Sequence, residues 1–293
     1  MSSSAPVAID VAAAAQLACL LEVSAPKPGN VSPGRHFADA RYEDFLASAA
    51  AIGGPLAGVG ERGVGATIRL AVEATACWTR SNTNLGIVLL LVPLARAACR
   101  RSGDPAKAGR GESALRAAVR CVLDETSVED ARDVYAAIRR AAPGGLGRVE
   151  SEDVAGEPSV TLLQAMRLAA DRDGIAREYA TAFERTFETG VPALEAARRD
   201  GLAWDAAIVE AYLTLLAEAP DTHIVRRAGP DRAEAVSCRA REVLAAAGVR
   251  SEAGRRAIEA MDRELRDQRH TANPGTTADL IAAAIFVVLI GGD

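Results

Sequence analysis

The chain reads Asn273-Pro274-Gly275-Thr276-Thr277-Ala278-Asp279 and then continues at once into an apolar run over residues 280–290. That run is apolar around most of its circumference, which predicts a buried central helix. Thr276 or Thr277 can cap the start of this helix, which places Asp279 in its first turn. Backbone N–H groups at a helix start attract anions, so the segment predicts either a polar site or an ordinary capped helix.

A second apolar run, at residues 85–101, predicts another central helix. Helical periodicity also predicts helices at 10–23, 42–52, 64–79, 112–125, 127–142, 160–170, 175–189, 191–199, 204–219, 231–247 and 251–266. No segment alternates between apolar and polar residues as a strand does. We therefore predict an all-α fold, a multi-helix bundle that forms a single domain over residues 1–293. Loops at 102–111 and 143–158 are expected to be flexible.

The composition agrees with close-packed helices. Hydrophobic residues make up 49% of the 293 residues and aromatic residues only 4%, so Ala, Leu, Val and Ile build the core. The net charge is −5 with no basic block, which argues against a nucleic-acid partner. The five cysteines are widely spaced and lack the spacing of a zinc site, which is typical of reduced cysteines in the cytosol.

The apolar runs fall short of the ~20 residues that span a bilayer, and residues 1–7 lack the positive segment of a signal peptide. The sequence therefore predicts a soluble cytoplasmic protein without a membrane partner. It leaves the oligomeric state open, a homodimer included.

Three further polar clusters border predicted helices, and with residues 273–279 they predict one shared site. They are Lys27-Pro28-Gly29-Asn30-Val31, Ser81-Asn82-Thr83-Asn84 and Asp221-Thr222-His223. No Walker-type phosphate loop, strand-bound GxGxxG, GxSxG or HExxH motif occurs.

Each cluster has both a functional and a structural interpretation. Lys27, Asn30 and Ser32 lie on a Pro/Gly loop with His36 close behind, and such a loop either cradles phosphate or is a solvated turn. The amides around Thr83 either hold a base or ribose or cap a helix.

The cluster at 221–226 and an acid in the first helix carry the titratable groups. Asp221, His223 and Arg226 combine an acid, an imidazole and a cation, although an isolated histidine is often structural. Glu22 lies at the unfavourable, C-terminal end of a helix dipole, which is a mild functional hint.

These residues resemble the CitG/MdcB family, the triphosphoribosyl-dephospho-CoA synthases. The matching blocks, in order from about residue 15 to residue 290, are Glu22…Lys27-Pro28-Gly29-Asn30-Val31, Thr83-Asn84-Leu85-Gly86, Gly144-Gly145-Leu146-Gly147, Arg172-Asp173, Asp221-Thr222 and Pro274-Gly275…Ala278-Asp279-Leu280. At His223 and at Thr276-Thr277 the chain differs from members that serve citrate or malonate lyases. There it resembles the branch found in methanogens and one-carbon-metabolising bacteria.

The resemblance implies an all-α transferase that uses ATP and Mg²⁺ together with a phosphorylated or coenzyme-like small molecule. In the family reaction a hydroxyl of dephospho-CoA displaces adenine from the ATP ribose and the triphosphate is kept. An alternative is another acceptor or another bond cleaved, in the biosynthesis of a one-carbon carrier cofactor of the methanopterin or methylofuran type. A scaffold without catalysis is disfavoured, because the polar clusters precede buried helices.

For such a transfer we expect Asp221, His223, Asp279 and Glu22 to be catalytic, with Asp221 and Asp279 also holding Mg²⁺. We expect Lys27 and Arg226 to hold the polyphosphate. The remaining nucleotide-binding residues are expected to be Asn30, Ser32, His36, Asn82, Thr83, Asn84, Asn273, Thr276 and Thr277.

Overall fold

The computed structural model describes residues 10–103, 112–145, 147, 151–267 and 269–291. Within these ranges the only β feature is an isolated bridge between Ser32 and Arg35. The α-helices are α1 (Val11–Ser24), α2 (Tyr42–Ala51), α3 (Gly53–Ala57), α4 (Val64–Ala76), α5 (Leu85–Gly103), α6 (Glu112–Asp124), α7 (Val128–Ala141), α8 (Leu162–Ala169), α9 (Gly174–Thr181), α10 (Val191–Arg199), α11 (Trp204–Glu218), α12 (Thr222–Ala228), α13 (Pro230–Ala245), α14 (Glu252–Leu265) and α15 (Gly275–Gly291). The predicted all-α fold is confirmed.

The two predicted central helices occupy the middle of the bundle. Residues 280–286 of α15 have no exposed surface, and residues 90–92, 94 and 95 of α5 are equally buried. α15 packs against α1, α5, α10 and α11. The buried apolar side chains form one core cluster, which supports the single domain that we propose for residues 1–293.

A proline lies inside α5 without ending it. Pro93 has no N–H, so the Leu89 carbonyl one turn earlier lacks its usual helical donor. The hydroxyl of the buried Tyr179 on α9 donates to this carbonyl at 2.6 Å. A side chain from a neighbouring helix thus replaces the missing backbone hydrogen bond.

The predicted helix at 175–189 is wrong in its middle. α9 ends at Thr181, and Ala182 and Phe183 adopt left-handed φ angles of 51° and 61°. A π-helical turn then runs over Thr186–Gly190. The break is held by the buried carboxylate of Glu178, which accepts hydrogen bonds from the N–H groups of residues 185 and 186 at 3.1 and 3.0 Å.

Two further segments differ from the sequence-based expectation. Gly53–Ala57 forms the short helix α3 and Thr222–Ala228 forms the helix α12, and neither is among the predicted helices. Most of the predicted loop at 102–111 lies outside the described residues, as do 146 and 148–150 of the predicted loop at 143–158. In the part of the chain that is described, no helix is both long enough and apolar enough to cross a bilayer.

Candidate active site

A cavity of about 620 Å³ lies at the ends of α1, α5, α9, α12 and α15 and extends along α7 and α8. Small-molecule sites commonly have volumes of about 300–1,000 Å³. All four polar clusters contribute to its walls, through Glu22, Asn30, Asn82, Thr83, Asn84, His223, Arg226, Asn273, Thr276 and Asp279. The other candidates, Lys27, Ser32, His36, Asp221 and Thr277, are not among the lining residues.

Asp279 is one of the carboxylates that line the cavity. α15 begins at Gly275, two residues earlier than expected, so Asp279 lies one turn into the helix instead of in its first turn. A Cβ atom at Gly86 on α5 would come within 2.0 Å of Asp279 Oδ2, so only glycine leaves room for this carboxylate. No described residue donates a hydrogen bond to it. Burial raises the pKa of Asp279 well above its usual range, with help from the negative charges of Glu22 and Asp221 and against the attraction of Arg226.

Glu22 and Lys27 form a buried ion pair. Lys27 has no exposed surface and Glu22 has 2%, and the distance from Lys27 Nζ to Glu22 Oε1 is 2.9 Å. Lys27 Nζ also donates to the backbone carbonyls of Glu22 and Ala25, at the negative end of the α1 dipole. Burial raises the pKa of Glu22 in spite of this ammonium. The structure does not support the predicted phosphate contact of Lys27, because its ammonium is paired with Glu22 and the helix end and Lys27 does not line the cavity.

Asp221 holds the starts of two helices. Its Oδ1 accepts hydrogen bonds from the N–H groups of His223 and Ile224 at 2.8 and 3.2 Å, which caps α12. Its Oδ2 accepts from both the N–H and the hydroxyl of Thr277 at 2.7 Å each, near the start of α15. Asp221 is 1% exposed, and both of its oxygens are fully used. It does not fit the predicted role of metal ligand, and the capping role predicted for Thr276 or Thr277 belongs to Asp221.

Asp221 is therefore not available as the second ligand of the predicted metal site. Among the described residues, no group of three or more His, Cys, Asp or Glu side chains can hold a metal ion. Of the predicted pair, Asp279 is the member that lines the cavity.

His223 lines the cavity, and one of its ring nitrogens has no hydrogen-bond partner among the described residues. Its Nδ1 lies 3.0 Å from the backbone carbonyl of Asn273. Because a carbonyl only accepts, Nδ1 carries the proton and the lone pair lies on Nε2. Burial lowers the pKa of His223, helped by Arg226 and opposed by the charge of Asp221. A Cβ at Gly275 would lie 2.6 Å from Nδ1, so glycine is needed there too.

The predicted amide and hydroxyl residues mostly form hydrogen bonds with other protein groups around the cavity. Asn30 Nδ2 donates to Asn273 Oδ1 at 2.9 Å, and Asn82 Oδ1 accepts from the Leu85 N–H at 3.1 Å as a cap of α5. Asn84 Nδ2 donates to a threonine hydroxyl on α4 at 3.1 Å. Thr83 shares a hydrogen bond with Ser48, and Thr276 shares one with Thr222 at 3.1 Å.

Two candidates lie away from the cavity. Ser32 is buried, and its hydroxyl has no hydrogen-bond partner among the described residues. His36 is exposed, and its Nδ1 accepts from the Tyr42 N–H at 3.2 Å. The predicted contacts of Ser32 and His36 with a nucleotide are therefore not supported, because neither side chain reaches the cavity.

The cavity contains cations that sequence reasoning missed. The additional arginines in its walls are Arg80, Arg172, Arg227 and Arg269. None of the four has a carboxylate partner within the described ranges, whereas Arg226 Nη1 pairs with Asp173 Oδ2 at 2.5 Å. The Nε of Arg226 is buried and likewise has no hydrogen-bond partner there. The four additional arginines come from separate segments of the sequence. Of these segments, only the Arg172-Asp173 block was noted in the sequence, as part of the family resemblance.

An aromatic pair was also missed. The rings of Phe37 and His270 stack with their centroids 3.9 Å apart, and both residues line the cavity. Arg266 lies over the Phe37 ring at 5.9 Å. A stacked pair at a cavity wall is suited to contact a flat base.

The chain is similar to proteins of one kind. A 113-residue stretch is 39% identical to the probable 2-(5''-triphosphoribosyl)-3'-dephosphocoenzyme-A synthase of Stutzerimonas stutzeri and covers 38% of each chain. A 115-residue stretch is 39% identical to the protein of the same name from Pseudomonas paraeruginosa and covers 39% of each chain. The chain thus spans about two fifths of the length of the curated relatives it matches.

The fold has a counterpart among solved structures. A crystal structure from Archaeoglobus fulgidus, assigned as a triphosphoribosyl-dephospho-CoA synthase, superposes with a TM-score of 0.64 at 29% identity, over 84% of this chain and 99% of that one. A family model described as CitG, ATP:dephospho-CoA triphosphoribosyl transferase, matches residues 8–293. Since this match covers nearly the whole sequence, the chain belongs to the CitG family.

Proposed function

We propose that this protein transfers the triphosphoribosyl group of ATP to a hydroxyl of dephospho-CoA and releases adenine. The observation that carries the proposal is the composition of one cavity. A carboxylate without a partner, Asp279, and a histidine with an available Nε2, His223, share it with four arginines that lack carboxylate partners among the described residues. The match of residues 8–293 to the CitG family model and the description of that family support the same assignment.

The arginines suit the triphosphate. ATP carries roughly four negative charges, and guanidinium groups bind phosphate oxygens through two parallel hydrogen bonds. Arg172 directly precedes Asp173, the partner of Arg226, and Arg227 directly follows Arg226. We assign the polyphosphate to these arginines in place of Lys27.

Asp279 suits the departure of adenine. A carboxyl group with a raised pKa can donate a proton to a leaving group at neutral pH. As the bond between C1 of the ribose and adenine breaks, the proton of Asp279 passes to a ring nitrogen of adenine. The carboxylate that remains then stabilises the positive charge that develops on the ribose.

His223 suits the activation of the acceptor. Burial keeps its imidazole neutral by lowering its pKa, and Nε2 can take the proton of the incoming hydroxyl as the new bond from oxygen to C1 forms. The protons balance: His223 gains the proton that the acceptor loses, and Asp279 loses the proton that adenine gains. After the products leave, His223 releases a proton to solvent and Asp279 takes one up.

Mg²⁺ does not fit as an ion held by a dedicated protein site. Asp221 has no oxygen left for it, and Asp279 is a single carboxylate that we assign to the ribose. We expect Mg²⁺ to arrive with ATP, because this ion is often held largely by phosphate oxygens and water.

The test is the incubation of the protein with MgATP and dephospho-CoA, followed by separation of the products. We expect free adenine and a product that carries the triphosphoribosyl group, in equal amounts. Formation of ADP or AMP instead of adenine would show that a phosphoanhydride bond is cleaved and would refute the proposal. An acceptor other than dephospho-CoA would show as adenine release that requires a cell extract or a one-carbon carrier precursor.

A further inference from the structure

The part of the cavity wall that α7 and α8 form is apolar except for one tyrosine hydroxyl. The side chains that α7 and α8 contribute to it are Val134, Tyr135, Ile138, Ala141, Leu162, Ala165, Met166 and Ala169. On each helix these residues recur at intervals of three or four and share one face. The Tyr135 hydroxyl is already used, since it donates to the Glu152 carbonyl at 2.8 Å. The wall therefore offers no free hydrogen-bonding group from α7 or α8.

This wall cannot receive the charged parts of either substrate. A phosphate group placed against it loses its water without gaining a hydrogen bond, which is strongly unfavourable. A purine base is rigid and cannot turn its ring nitrogens away from this wall, whereas a flexible chain can place its methyl and methylene groups on the wall and turn its polar groups toward the open cavity. Seven residues of helix extend over about 10 Å, so the wall accommodates a long, uncharged chain.

We infer that the wall along α7 and α8 binds the uncharged arm of the acceptor, which in dephospho-CoA is the pantetheine chain. The inference rests on the proposed function, because that function places the reacting hydroxyl at Asp279 and His223. Met166 supports it, since a flexible thioether adapts to an irregular aliphatic ligand. The arm would then fix which acceptor is used, whereas the polar end of the cavity performs the transfer.

The test narrows the wall without adding charge. Ala169 is half-buried, lines the cavity and is the last residue of α8. Ala169→Leu places three more carbon atoms against the arm, and leucine keeps the helix propensity high. Ala245→Leu is the matched control, because Ala245 is the last residue of α13, is exposed and does not line the cavity.

Calorimetric titrations give dissociation constants for three ligands: dephospho-CoA, ADP and ATP. We expect Ala169→Leu to weaken dephospho-CoA binding by about tenfold or more, and to leave ADP and ATP, which lack the arm, within about twofold of the wild type. Ala245→Leu should change none of the three. An unchanged constant for dephospho-CoA, or an equal loss for ADP or ATP, would overturn the inference.

A second variant keeps the test valid if Ala169→Leu does not fold. Ala141→Leu narrows the same wall from the end of α7, and its melting temperature and helical circular dichroism show whether the fold is intact. Adenine release by the wild type is a separate measurement. A wild type that binds dephospho-CoA but releases no adenine refutes the proposed function, while the binding constants still decide about the arm.

Discussion

Replacing Asp279 by asparagine should make the protein more stable and less active at the same time. Asparagine has nearly the same volume, which matters because Gly86 leaves no room for a larger side chain. The substitution removes a carboxyl group whose ionised form is disfavoured by burial and by the neighbouring acids, and with it the proton that we assign to the leaving adenine.

The effect on stability has a definite sign. In the unfolded chain the carboxyl of Asp279 titrates at its ordinary pKa, whereas in the folded protein its pKa is raised. Between these two values the folded protein binds more protons than the unfolded chain, so the free energy of unfolding falls as the pH rises. Below the ordinary pKa, Asp279 does not destabilise the folded protein, and above the folded-state pKa its destabilising effect is complete. A tenfold difference in proton affinity between the folded and unfolded states corresponds to about 1.4 kcal/mol.

The magnitude follows from the partial burial of Asp279 and from the absence of a hydrogen-bond donor to it among the described residues. An unsatisfied buried polar group costs about 1–3 kcal/mol, and a charged one costs more. One kcal/mol changes the melting temperature of a protein of 150–250 residues by about 2–4 °C. We therefore expect Asp279→Asn to melt at least about 2 °C higher than the wild type near pH 8, and this difference should shrink toward pH 5.

The activity should fall by a factor of about 10²–10⁴, which is typical for the loss of a general acid. The assay is adenine release from MgATP with saturating dephospho-CoA, together with melting curves at several pH values. Because the arginines are untouched, KM for ATP should change little, and the loss should appear in kcat.

Asp231→Asn is the control, because Asp231 is an exposed aspartate near the start of α13. It should leave adenine release unchanged and should not raise the melting temperature. Full activity of Asp279→Asn would refute the assignment of Asp279 as proton donor, and a lower melting temperature would show that its carboxyl group stabilises the fold.

Three further predictions concern neighbouring groups. Asp221→Asn should destabilise the protein by about 1.5–3 kcal/mol for each charge-assisted hydrogen bond that it loses, and an unchanged midpoint in urea would contradict the capping role. His223→Asn should lower kcat by about 10²–10⁴-fold. In the wild type, kcat/KM should decrease toward acidic pH only below about pH 6.5, because the pKa of His223 is lowered from that value. A decrease that already begins above pH 6.5 would refute the neutral imidazole. Tyr179→Phe should cost about 1–3 kcal/mol by leaving the Leu89 carbonyl unpaired, and this cost should diminish in a Pro93→Ala background, where a backbone N–H is restored; equal costs in both backgrounds would show that the hydrogen bond contributes nothing.

The sequence predicted the helices well because their apolar periodicity is local. The runs at 85–101 and 280–290 needed no tertiary information to be identified as central helices. The break after Thr181 was missed because no glycine or proline marks it. It depends on the buried Glu178, whose partners are set by folding.

The site was predicted in part, for a similar reason. Polar clusters before buried helices are visible in the sequence, and ten of the fifteen candidates line the cavity. The burial of Lys27 was not predicted, because a Lys-Pro-Gly turn is typical of solvent-exposed loops. Its position beside Glu22 depends on three-dimensional packing. The arginines at 80, 172, 227 and 269 come from separate segments, so only the fold brings them together.

The double hydrogen bonding of Asp221 limits how the protein can diversify. One carboxylate holds the N–H groups of His223 and Thr277, so α12 and α15 have a fixed separation and must move together. His223 on α12 and Asp279 on α15, the proton acceptor and the proton donor that we propose, should therefore keep their spacing whatever substrate enters. Acceptor preference can change through α7 and α8, on the other side of the cavity, without disturbing the chemical step. Members of the family with different acceptors should accordingly differ first along that wall, and an exchange of α7 and α8 between two of them should transfer acceptor choice with little loss of turnover.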